Sequence, residues 1–309
     1  MRVSTQQSYT SMTNSFTELS GDLEQVVTQM ATGKRIILPS DDPIAATRIT
    51  QLNRQQSAID QYQSNINTVS SGLSQQESVL DSVNNSLLAI RDDLLEAANG
   101  TNTAESLASF GQDIESLTQG MVAALNYQDE DGHYIFGGTV NDTPPITYED
   151  TDGDGEQDEY IYHGNMNHRS ATVANGVEMD TNVSAGEIFG QDLEVFNTLE
   201  DLATELQDPN LDAADPQVLD DITHAVDVID EASESLNAAI ASIGERQNTL
   251  TMLADAQTGI SDANTDLIGQ LGDLDYGPAT ITFTGLQMAM EATMKTYSKV
   301  SELNLFNAI

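Results

Sequence analysis

A leucine or isoleucine stands at every seventh position across the first third of this chain: Leu52, Ile59, Ile66, Leu73, Leu80, Leu87 and Leu94. Val69, Val83, Ile90 and Ala97 fill part of the row three places further on. An unbroken apolar heptad is the seam of a long helix that packs against other helices. No proline falls between Pro43 and Pro144. The spacing therefore predicts one helix from Ile44 to Ala98, on the order of 80 Å long at about 1.5 Å per residue. Such a helix cannot bury its own stripe, so the rest of the chain must supply long partners.

Those partners are present on both sides of it. Tyr9, Met12, Phe16, Leu19, Leu23, Val26 and Met30 alternate spacings of three and four, which places one apolar stripe on a helix from about Thr5 to Ala31. Gly33 ends it, and Lys34 to Pro43 forms a short link in which Asp42 caps the long helix and Pro43 suits its first turn. Asn99-Gly100-Thr101-Asn102 is turn chemistry, Thr103 caps the next helix, and Leu107, Phe110, Ile114, Leu117, Met121 and Ala124 predict an antiparallel partner of about 25 residues. Helical pattern resumes near Asp192, and past a loop from Pro209 to Pro216 the three-four spacing returns from Ile222 to Leu274, Ile260 and Leu267 included, with Gln257 and Asn264 inside the seam and Arg246 interrupting it. Gly277-Pro278 is expected to break that run. A last helix then carries Leu286, Met290, Tyr297 and Val300 on one side and ends in Leu303, Leu305 and Phe306.

Between these helices, residues 131 to 190 read as short strands and turns. Tyr134-Ile135-Phe136 runs into Gly137-Gly138, and Ile146-Thr147-Tyr148 is answered by Tyr160-Ile161-Tyr162 across an acidic glycine loop. Ala171-Thr172-Val173 and Val177 flank an Asn175-Gly176 turn. The expected fold is mainly α: a long antiparallel coiled coil or helical bundle, its terminal helices paired at one end, with a small β-rich insertion. Residues 1–43 with 276–309 form a terminal assembly domain, 44–130 with 191–275 a rod domain, and 131–190 the insertion.

Charge narrows the function classes. There are 50 Asp and Glu against 10 Lys and Arg, a net charge of −40. No basic stripe is available to neutralise phosphates, which excludes nucleic acid and disfavours anionic membranes. Residues 61 to 280 hold 42 of the acids and three of the bases, whereas both ends are nearly neutral. The middle is an acid shell, a salt-adapted or highly soluble surface, and the ends are built to be covered. Cysteine is absent, so there is neither a disulfide framework nor a thiolate site. No leader-like start and no membrane-length apolar run occur, which by itself reads as a soluble cytoplasmic protein.

One stretch has metal-site spacing. Asp150, Asp152, Asp154 and Asp158, with Gly155 at the tight turn, reproduce most of a calcium loop, although Ile161 stands where the bidentate Glu belongs. A hairpin tip on a solvated acid surface explains the same residues. His133, His163, His168 and His224 are scattered without ligand spacing, and neither a nucleophile elbow nor a phosphate loop is present, so the chain does not read as an enzyme. Met288, Met290 and Met294 suit an adaptable packing surface. A calcium-dependent secreted adhesion module is the reading that the acidic loop would favour.

The stretch Gln29-Met30-Ala31-Thr32-Gly33-Lys34-Arg35-Ile36, followed by Ser40-Asp41-Asp42-Pro43-Ile44-Ala45-Ala46, resembles the N-terminal signature of the flagellin family of bacterial axial proteins. Within that family, Met1 to Thr5, Gly132 to Gly138 with Pro144-Pro145, the final Leu303-Asn304-Leu305-Phe306 and the short insertion look like a subunit at the junction of hook and filament rather than the filament subunit flagellin. The resemblance implies a secreted structural protein of the bacterial flagellum, exported by the flagellar type III route without a cleaved signal. Self-assembly would use Tyr9 to Met30 and Leu286 to Phe306. The partners it implies are the other junction protein, flagellin, and an export chaperone that covers the C-terminal helix.

Overall fold

The computed structural model describes residues 2–151, 157–213 and 215–306, with residues 2–5, 8 and 300–306 described by backbone alone. Among the described residues, seven helices and four strands follow in the order α1 (Arg2–Thr32), α2 (Pro43–Ala97), α3 (Ala104–Leu125), β1 (Ile146–Glu149), β2 (Glu159–Tyr162), β3 (Ser170–Ala174), β4 (Val177–Asp180), α4 (Ala185–Phe189), α5 (Glu194–Leu206), α6 (Pro216–Gly272) and α7 (Tyr276–Phe306). The chain forms two compact units, Met1–Ile59 with Thr258–Ile309, and Asp60–Gln257. Each of α2 and α6 contributes residues to both.

The second unit holds the main core. Leu73, Leu80, Leu87, Ile90 and Leu94 of α2 are fully buried, together with Ile114 and Met121 of α3, Phe196 and Leu199 of α5, and Ile222, Ile229, Leu236 and Ile243 of α6. The heptad is thus the spine that the other helices cover. Asn102 turns the chain out of α2 by donating its amide to Glu96 O and Ala97 O, carbonyls the helix itself cannot satisfy. Thr103 starts α3 by accepting Ser106 N–H at 3.2 Å. The nearest neighbour of α3 is α5, the helix that the sequence places between about Asp192 and the Pro209 to Pro216 loop.

The insertion is two antiparallel hairpins. Ile146 pairs with Tyr162 and Glu149 with Glu159 in the first. In the second, Ser170 faces Asp180, with a bulge between Thr172 and Ala174 and the Asn175-Gly176 turn at its tip. Both sheets have only two strands, too few to stand alone in water, so each leans on helices. Asn126 at the end of α3 clasps β1 through both amide atoms, donating to Ile146 O at 2.7 Å and accepting its N–H at 3.0 Å. Tyr160 packs edge-on against Phe196 of α5, and Asn197 accepts Tyr160 N–H at 2.7 Å. Gly138 has φ +72°, and a Cβ there would collide with Asn165 O, which explains the glycine after Phe136-Gly137. Tyr134-Ile135-Phe136 makes no strand and contributes a single bridge, Tyr134 to Gln128.

Two sequence expectations change. The break before the last helix comes at Asp273–Asp275, and Gly277-Pro278 lies inside the first turn of α7. Proline is tolerated there because the first N–H groups of a helix have no intrahelical acceptor. Ile260 and Leu267, expected in the seam, are 45% and 40% exposed. In the first unit α2 and α6 bury only the narrow row formed by Ala45, Leu52, Ile59 and Asn264, so residues flanking it stay wet.

Candidate assembly interface

In the first unit α1 and α7 pack side by side and antiparallel. Tyr9 meets Tyr297, with ring centroids 5.3 Å apart and the two hydroxyls hydrogen-bonded, while Tyr276 donates its hydroxyl to Met30 O at 2.9 Å. Tyr9 and Tyr297 mark one end of the pair, Met30 and Tyr276 the other. Met12, Leu19, Leu23, Val26 and Met30 of the predicted stripe are half-buried, as are Leu286 and Met290. Tyr9 remains 48% exposed, Phe16 37% and Tyr297 39%. Met12, Phe16, Met294 and Tyr297 line an open cavity of about 390 Å³ in this pair. Val300, Leu303, Leu305 and Phe306 continue α7, but their side chains lie outside the described residues.

Among the described residues, α1 has no buried side chain and α7 has one, Ala279. The contrast with the fully buried heptad leucines of α2 is direct. Two single helices laid together cover one stripe each and no more. A second apolar row therefore faces outward on α7, where Ile281 is 76% and Met288 62% exposed, and Val27 of α1 is 47% exposed. The methionines are legible in the sequence as an adaptable surface. Ile281 is not part of the stripe that the sequence suggests, although its place seven residues before Met288 is itself a signal.

The links between α1 and α2 and between α6 and α7 are tied to each other. Gly33 takes φ +69°, its carbonyl accepts Leu274 N–H at 2.8 Å, and Arg35 N–H donates to Gly272 O at 2.7 Å. The Arg35 guanidinium donates to Leu271 O at 2.8 Å and pairs with Asp42 at 3.2 Å. Asp42 caps α2, its Oδ1 accepting Ala45 N–H at 3.0 Å. That hydrogen bond, with help from Arg35, holds the Asp42 carboxyl below the usual carboxylate range. Asp41 closes the turn before it by accepting Ile37 and Leu38 N–H groups.

In the second unit, polar residues inside the seam hold the insertion. Gln76 is buried, accepts Val183 N–H at 2.8 Å and donates to Thr181 O at 3.0 Å. Gln257 donates to Val173 O at 2.6 Å, Asn65 to Thr172 O at 2.7 Å, and Arg246 to Asn182 O at 3.1 Å. In the sequence Gln257 and Arg246 stand out only as breaks in the apolar pattern. Their reason is that a hairpin's backbone must find partners where it meets a helix. Gln76, three residues after Leu73, carries the same signal, which the unbroken heptad row beside it conceals.

The calcium-type loop is only partly described. Asp152 and Asp154 lie outside the described residues. Asp158 accepts the N–H and hydroxyl of Thr151, both at 2.9 Å, which closes the end of the β1–β2 hairpin next to Asp150. Asp129, Asp131 and His133 bring ligand-type atoms within 4.8 Å of one another, a grouping that spacing alone does not suggest. Asp129 Oδ1 is engaged by Asp131 and His133 N–H groups, at 3.0 and 2.9 Å, in a turn.

Comparison with known proteins agrees with this architecture. Residues 3–141 match the bacterial flagellin N-terminal helical region. Flagellar hook-associated protein 3 of Escherichia coli is 25% identical over 319 aligned positions, covering 99% of both chains. A solved structure described as a flagellar hook-associated protein of Vibrio parahaemolyticus is 33% identical, with a TM-score of 0.67 over 75% of this chain and 100% of that one. The flagellar junction protein FlgL of Legionella pneumophila, 14% identical, shares the fold with a TM-score of 0.61 over 73% of this chain and 100% of that one. Paired terminal helices, a heptad spine carrying a small β insertion, and likeness along nearly the whole length make this chain a member of the bacterial flagellin family, of the kind represented by hook-associated protein 3.

Proposed function

We propose that this protein is the structural subunit that joins hook to filament in the bacterial flagellum, and that it assembles through α1 and α7. One observation carries the reading: the terminal helices pair with each other yet, among the described residues, bury almost nothing, while the heptad core of the second unit is complete without them. Apolar faces of that extent on a soluble subunit mark a surface that another chain covers. The occupants are copies of this protein, a second junction protein on the hook side and flagellin on the filament side. Before assembly the same faces need shielding, which is the role of an export chaperone on α7. The assembled subunit sits outside the cell.

Deletion of the gene tests this. Electron microscopy of the mutant should show hooks without filaments, with flagellin lost to the medium, and a plasmid copy should restore filaments. Normal filaments on the mutant would overturn the proposal.

A further inference from the structure

The geometry points to Arg35 as a positioning residue that locks the terminal helix pair to the two long helices of the first unit. Helix α6 ends at Gly272, so Leu271 O and Gly272 O belong to the last-turn carbonyls for which the helix has no N–H of its own. Arg35 supplies both, Gly272 O from its backbone N–H and Leu271 O from its guanidinium. The same guanidinium holds Asp42, the residue that caps the opposite kind of helix end, the N-terminus of α2. One side chain thus bridges the C-terminus of one long helix and the N-cap of its neighbour. Its positive charge stands at the negative end of the α6 dipole, and the Asp42 carboxylate at the positive end of α2.

The arrangement is closed from the other side. Gln29 of α1 donates to Arg35 O at 2.6 Å, fixing Arg35 to the helix before it. Leu274 N–H returns to Gly33 O, and Lys34 bridges Asp273. Both chain crossings between the terminal helices and the long helices therefore pass through contacts within a few residues of Arg35. Were the crossings loose, each helix would still be formed, but the α1–α7 pair would swing. A subunit that enters a regular polymer by that pair gains from holding it in one direction, because ordering it beforehand removes an entropy cost from assembly. This use in assembly rests on the function proposed above; the joint itself does not.

The chain contains no cysteine, so spin labels on Asp22→Cys in α1 and Asn53→Cys in α2 report one distance, read by pulsed electron–electron resonance on the full-length protein. With Arg35 intact a single narrow distribution is expected. Arg35→Ala should broaden it at least twofold while far-UV circular dichroism stays unchanged. Asp42→Asn, which keeps an oxygen for Ala45 N–H but loses the ion pair, should broaden it less. A distribution as narrow in Arg35→Ala as in the parent overturns the positioning role. Arg35→Ala is also expected to reduce the copies retained on purified hook–filament preparations severalfold. A broadened distance with full retention would overturn the use of the joint in assembly while leaving the joint itself, and the junction function, in place.

Discussion

Replacing Gln76 by leucine sets two effects against each other, and the structure says which wins. Position 76 is a seam position of the α2 heptad, so leucine suits the apolar row, and the extra apolar surface it buries over the glutamine stem is worth about 1 kcal/mol. Against that, Val183 N–H loses its acceptor and Thr181 O loses a donor, at a site where Gln76 is only 3% exposed. A buried backbone group left without a partner costs about 1–3 kcal/mol. Two of them outweigh the leucine, and the net expectation is a loss of about 2 kcal/mol or somewhat more. Urea unfolding followed by near-UV circular dichroism reads the change through the tyrosines, six of which lie in the second unit. Hydrogen exchange at the Val183 amide reads it locally, and that amide should lose protection well before the core of α2. If Gln76→Leu is as stable as the parent and Val183 stays protected, the claim that seam amides anchor the insertion is wrong.

Three further outcomes are expected. Leu19→Asp or Leu23→Asp should abolish incorporation into the flagellum and swimming, with helical content of the purified protein nearly unchanged; normal motility in either variant would contradict the assembly role of α1. Gly111→Ala should destabilise by about 1–3 kcal/mol by overpacking, because the added Cβ would sit 2.9 Å from Ala203 O of α5, more than offsetting the gain of about 1 kcal/mol in helix propensity; a raised melting temperature would show that α3 and α5 do not pack this closely. The third concerns pH. Burial raises the carboxyls of Asp93, Glu200, Asp201 and Glu205 in the second unit. A raised acid binds its proton more readily folded than unfolded, so stability is lost as pH rises through the folded value and is fully regained only below the unfolded value of about 4. The melting temperature should therefore rise as the pH is lowered from neutral toward that unfolded value, and do so even in 1 M salt, where a Debye length of about 3 Å screens the general repulsion of a −40 chain. A fall over that interval in high salt would refute the assignment.

How much of this is readable from residues alone depends on the range of the forces involved. The helix from Pro43 to Ala97 is legible because seven-residue recurrence is a local property of one chain segment, and so is the cap at Asp42. The hairpins are legible because Asn175-Gly176 and the alternating strands are local too. The stripe from Tyr9 to Met30 is legible as apolar, but sequence does not say which part of it α7 covers. The start of α7 is misplaced by the sequence reading because proline forbids a helix interior and not a helix start. The separation of α5 from α6 is legible as well, because Pro209 and Pro216 interrupt the helical spacing between them.

Periodicity, capping and charge distribution by themselves determined that this protein is a set of long helices with a small β insertion, acidic in the middle and neutral at its ends, with end helices that carry more apolar surface than they need for themselves. Each of those properties depends on neighbours within a few residues along the chain. Only the tertiary structure decided that Ile260 and Leu267 stay wet, that Gln76, Gln257 and Arg246 are anchors rather than flaws, and that Arg35 joins two helix ends. Those outcomes depend on which distant carbonyl or side chain arrives opposite each residue. Arg35 and Leu271 lie 236 residues apart in the chain, and no local pattern records that they meet.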